Sequence, residues 1–156
     1  MTESIPPLKI ETLKKNAKVF LAGKEALDGV FFLSPTSPFH GGQESLQELL
    51  CSERRYIPFE KDGKVIIIQK RNIIKVQLKD EDPKSQAGSH TEIDVRINFC
   101  QGGSIEGRVL YSMPVTHSRL SDFLNNSKEF FYLHSNDHTF LINARHISFV
   151  EQIDSK

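Results

Sequence analysis

Tryptophan is missing from this chain, cysteine and methionine occur only twice each, and formal charge cancels, with 20 Lys+Arg against 20 Asp+Glu. Each shortage excludes something. Two cysteines cannot build the disulfide framework of a small secreted domain. No apolar run reaches the length of a spanning helix, and the polar, Pro-containing start MTESIPPLKIETLKK is not signal-like. The chain is therefore expected to be soluble, in a reducing compartment, and cytoplasmic. Zero net charge argues against a broad surface that coats nucleic acid, although a local patch is compatible with it.

Catalytic and metal signatures are also missing. The sequence holds no GxSxG, Walker loop, GxGxxG, HExxH or paired CxxC. His134 and His138 flank a short turn with Asp137, and His117 is a further candidate ligand, but the spacing matches no tight metal signature. His117, Ser118 and Asp122 have the types of a base, nucleophile and acid. They crowd one helix start, where capping accounts for Ser118 and Asp122. The expectation is a non-enzyme with no metal and no cofactor.

What is present is asymmetry and self-similarity. Residues 1–79 hold 13 Lys+Arg and 9 Asp+Glu, a net of +4, whereas residues 80–156 hold 7 and 11, a net of −4. Laying Leu46–Val76 over Leu120–Val150 without a gap pairs 31 positions, six of them identical: Leu46/Leu120, Leu50/Leu124, Ile68/Ile142, Arg71/Arg145, Ile73/Ile147 and Val76/Val150. Each segment has 14 apolar residues and 11 of those positions coincide, where chance would align about six. Upstream, Asp28-Gly29 pairs with Glu106-Gly107 and Ser34 with Ser112. Four extra residues of the first copy fall in the Pro-, Gly- and His-containing stretch Pro35–Glu44, a loop where insertion is cheap.

Each copy reads alike. Strands are predicted over 17–22 and 94–100, then over Val30–Leu33 and Arg108–Tyr111. Ser45 opens a capping box with Glu48 ahead of the stripe Leu46, Leu49, Leu50. Ser118 is the matching cap ahead of Leu120, Phe123 and Leu124, and Asn125-Asn126 stops the helix. Strands follow at Arg55–Phe59, Lys64–Gln69 and Ile73–Leu78, and at Glu129–Leu133, Thr139–Asn143 and Ile147–Gln152. Hairpin turns fall at Lys61-Asp62-Gly63 and Ser135-Asn136-Asp137. Five short strands are the count of a small, strongly bent barrel, whose closure removes exposed edges. A polar segment over 79–91 is the linker between unit 1–78 and unit 92–156.

The run Ile142-Asn143-Ala144-Arg145-His146-Ile147-Ser148-Phe149-Val150 resembles the closing motif of Sm-like proteins, and Gly107-Arg108-Val109 is similar to their second strand. Arg119-Leu120-Ser121-Asp122-Phe123-Leu124-Asn125 also resembles a segment of uncharacterised bacterial domains. The resemblance implies a mainly β chain of two tandem five-stranded Sm-like or SH3-like barrels, each with a short helix between strands two and three. The chain departs from that pattern in two places. A helix stands where Sm-like RNA binders carry an Asp and Asn loop, and Asn72 or His146 follows the arginine where they have glycine.

Candidate contact residues for a nucleic acid or partner are Arg54, Arg55, Lys64, Lys70, Arg71, Arg145 and His146. Lys61 and Lys75 add to the basic first copy, and Tyr56 and Phe59 are candidate stacking groups. Arg71 and Arg145 hold one place in both copies, which suits a turn-bracing role. The expected function is a protein-interaction or regulatory module whose partner is another protein or a second copy of the chain. RNA binding by the basic copy is the alternative, and a small ligand between the barrels is the third.

Overall fold

A computed structural model of the chain describes residues 12–80, 91–111 and 120–153. The protein is mainly β, as its sequence leads one to expect. Five strands form the first half: β1 (Leu13–Leu21), β2 (Leu27–Leu33), β3 (Tyr56–Lys61), β4 (Lys64–Gln69) and β5 (Ile73–Leu78). Five form the second: β6 (Thr91–Phe99), β7 (Ser104–Tyr111), β8 (Phe130–Ser135), β9 (His138–Asn143) and β10 (Ile147–Gln152). Helix α1 (Leu46–Leu50) lies between β2 and β3, and α2 (Leu120–Asn126) between β7 and β8. Ser118, His117 and residues 81–90 of the linker lie outside the described residues.

Local chemistry accounts for the elements. The capping box forms: Ser45 Oγ accepts from the Glu48 amide at 3.1 Å, and Glu48 accepts from the Ser45 amide at 2.9 Å. Leu46, Leu49 and Leu50 then point into the core. Asp62 and Gly63 both have positive φ, +52° and +78°, as a two-residue hairpin with the right-handed strand twist requires. β1 begins four residues before its predicted start. Leu13–Asn16 has no strand-like alternation, and pairing with Val30–Leu33 of β2 imposes the conformation.

The sheet is a single antiparallel ladder of ten strands in the order β10-β6-β7-β8-β9-β5-β1-β2-β3-β4. It does not close, because β10 and β4 stand at its two ends. Both halves follow the same internal order, last strand first. Their registers are equivalent: Val19 faces Leu27 and Val76 as Ile97 faces Ile105 and Val150, and Val30 faces Glu60 as Arg108 faces His134. The halves are joined by β5 and β9, with Lys75 opposite Ile142 and Val76 opposite Leu141.

The buried apolar residues form two clusters, and each borrows from the other half. The first packs the α1 leucines with Val19, Phe31 and Phe59, and takes in Phe130 and Leu141. The second gathers Ile97, Val109, Phe131 and Leu133, with Phe20 and Ile74 packed against it. The junction is therefore core as well as ladder.

Candidate functional site

A cleft of about 560 Å³ opens where the halves meet. Cys51, Ser52 and Glu53, just after α1, form one wall. Arg55 and Tyr56 at the start of β3 and Gln69, Lys70 and Arg71 at the end of β4 form another, and Glu129 and Arg145 come from the second half. The backbone explains the convergence. β4 and β9 each end in a short 3₁₀ turn, Lys70–Asn72 and Ala144–His146, that feeds the next strand. The Lys70 amide is held by the Arg55 carbonyl, and Ala144 by Glu129, both at 2.8 Å.

Of the seven sequence-predicted contact residues, four line the cleft and they differ in state. Lys70 is buried, donating its ammonium to the Ser52 carbonyl with Glu129 3.8 Å away. Arg145 is exposed and pairs with Glu129 at 3.1 Å. Arg55 and Arg71 are exposed, and no carboxylate of the described residues lies in ion-pair range of either. The cleft's open positive charge thus sits on Arg55 and Arg71.

The other three lie outside. Arg54 is exposed beyond the cleft, and Lys64 sits at the far hairpin, opposite Lys61. His146 acts as a brace: Nε2 donates to the Arg71 carbonyl at 2.6 Å, so Nδ1 accepts from the Gln101 amide. Phe59 is fully buried, ring edge against Phe31 at 4.9 Å, and cannot stack on a base. Lys75 lies over Phe20 and Phe99 at 4.5 and 5.2 Å, and burial pushes its pKa down. Arg71 and Arg145 share a framework place but not a bracing bond.

Sequence reasoning missed Glu129, the carboxylate serving both Lys70 and Arg145. The available signal was the repeat alignment, which sets Glu129 against Arg55 as a charge reversal. Asn143 was missed too. It is fully buried, donates to the Ile73 carbonyl at 2.9 Å and accepts from the Arg145 amide at 3.0 Å, tying β9 to β5.

No nucleophile of the cleft is activated. Burial pushes the Cys51 thiol up, and its sulfur lies against the Phe130 backbone. The Ser52 hydroxyl donates to the Leu49 carbonyl. His134 and His138 contact Thr139 and Gln77 respectively, and no group of three metal-ligating side chains occurs among the described residues. Nor is any described helix long and apolar enough to cross a membrane. The chain matches no family model, no curated protein and no solved structure.

Proposed function

We propose that the protein is a non-catalytic interaction module, built from two Sm-like or SH3-like units, that binds an acidic protein segment in the cleft between them. The observation that carries this reading is the pair Arg55 and Arg71, exposed and without carboxylate partners among the described residues, beside the satisfied Lys70 and Arg145. An unpaired guanidinium offers a forked set of donors suited to carboxylates. The shared strand order of the halves and their equivalent glycines, Gly29 and Gly107, support the two-unit reading.

RNA is the second reading, favoured by Tyr56, 54% exposed at the rim of the same cleft. The cleft volume also suits a small anion. Fluorescence anisotropy with a labelled oligoglutamate peptide and a single-stranded RNA separates them. Peptide binding should weaken about tenfold or more in the double variant Arg55→Ala, Arg71→Ala, since each charged hydrogen bond contributes about 1.5–3 kcal/mol. Peptide binding indifferent to both substitutions would sink the cleft as its site. RNA binding with a steep salt slope and no peptide binding would transfer the assignment to RNA.

A further inference from the structure

The outer face of the β3–β4 hairpin is apolar and uncovered. Strand alternation turns Ile57, Phe59 and Ile68 into the core and leaves Tyr56, Pro58, Val65 and Ile67 on the other side, with Pro58 opposite Ile67. Tyr56, Val65 and Ile67 are 54%, 59% and 60% exposed. An open face elsewhere in the sheet is dressed differently. Across β6, β7 and β10, Arg96 pairs with Glu106 and Glu151, and Arg108 with Glu92 and Asp94. There ion pairs meet the water, whereas on β3 and β4 contiguous apolar side chains do, as at an interaction site.

Two observations say what covers this strip. The first is continuity. Tyr56 and Gln69, opposite one another in the hairpin, are also wall residues of the cleft, so the strip begins where the cleft ends. From Gln69 it follows the six residues of β4 to Lys64, a length of about 17 Å. The second is charge. Glu60 is taken by Lys14 at 3.2 Å, and Asp62 by Lys61 at 3.0 Å. Lys64 at the far end has no carboxylate of the described residues in ion-pair range, and Arg55 and Arg71 stand open at the cleft end. An apolar strip bracketed by open cations complements a segment that brackets apolar side chains with acidic ones.

We infer that the partner segment of the cleft is amphipathic: acidic residues meet Arg55 and Arg71, the apolar residues beside them pack on Tyr56, Ile67 and Val65, and a second acidic group reaches Lys64. The inference rests on the cleft reading and adds the partner's apolar part to it. The division of labour follows from the solvent. Ion pairs formed in the open contribute little in water, whereas aliphatic surface withdrawn from water contributes in proportion to its area. The guanidinium groups therefore select for acid, and the strip supplies affinity that a purely acidic chain cannot reach.

The test measures anisotropy of the whole chain with a labelled oligoglutamate peptide and with one of equal length whose central residues are leucine. The leucine peptide should bind about tenfold tighter. Val65→Gln with Ile67→Gln should remove that gain and leave the oligoglutamate affinity as it was. Arg55→Ala with Arg71→Ala should weaken both peptides. Equal affinities, or a gain that survives the Val65 and Ile67 substitutions, would overturn the inference while leaving the cleft reading intact. A leucine peptide sensitive to Val65 and Ile67 but indifferent to Arg55 and Arg71 would separate the strip from the cleft and overturn both. Absence of any peptide preference, together with binding to phosphatidylserine vesicles or self-association that the Val65 and Ile67 substitutions abolish, would assign the strip to a membrane or to a second copy instead. Circular dichroism checks folding, and Val65→Thr with Ile67→Thr, which keeps the β-branched shape, replaces the glutamine pair if that unfolds.

Discussion

Glu48 shows how much one side chain settles. Burial pushes its pKa up, but the Ser45 amide, the Ser37 hydroxyl and His40 outweigh that and hold the carboxyl below 4.5. His40 Nε2 lies 3.1 Å from Glu48 Oε2. The side chain therefore caps α1 and ties the Pro35–Glu44 loop region onto it. A carboxyl whose folded pKa is depressed stabilises fully above its ordinary value, and loses that contribution as pH falls through the lower one. The stability gap between wild type and Glu48→Gln should be open at about pH 7 and shrink at about pH 3, read by urea unfolding. A gap constant with pH would show that the charge contributes nothing.

At the scale of elements, the tightest constraint is the crossing of β2 over β3 and of β7 over β8. A Cβ on Gly29 would strike the Glu60 carbonyl and come within 2.6 Å of the Phe59 ring. On Gly107 it would meet the His134 carbonyl at 2.7 Å and Leu133 Cγ at 2.8 Å. These glycines let each second strand bend onto the third, which is why ladder pairing there shrinks to Val30–Glu60 with Phe31–Phe59 and to Arg108–His134. Since one obstacle is backbone, the neighbour cannot simply rotate away. Gly29→Ala is expected to cost about 1–3 kcal/mol, lowering the thermal midpoint. An unchanged midpoint would mean that the strands do not approach so closely in solution.

At the scale of the molecule, the two halves fold as one body, because each core contains side chains of the other. Asn143 pins the seam. Asn143→Ala would leave the buried Ile73 carbonyl without its donor, at a cost of about 1–3 kcal/mol measured by urea unfolding. The transition should stay single, since loosening the seam exposes both cores together. Two separate transitions would contradict a shared core.

The sequence by itself determined the local grammar. Ser45 and Glu48 announced α1, Asp62-Gly63 announced its hairpin, and Lys64–Gln69, Ile73–Leu78 and Ile147–Gln152 were legible to the residue, because caps, turns and alternation are short-range physics. Four residues of the cleft were legible as candidates, though not as a group. Only the tertiary structure decided that β5 pairs with β9, and from that pairing the rest follows. It buries Lys70 against Ser52 and Glu129, places Lys75 between two phenylalanines, and leaves Arg55 and Arg71 open. It also makes Leu141 interior and its counterpart Ile67 exterior, though the two look alike in the chain. Burial depends on which strand lies alongside, and strand pairing across 61 to 67 residues is a long-range choice that no local pattern encodes.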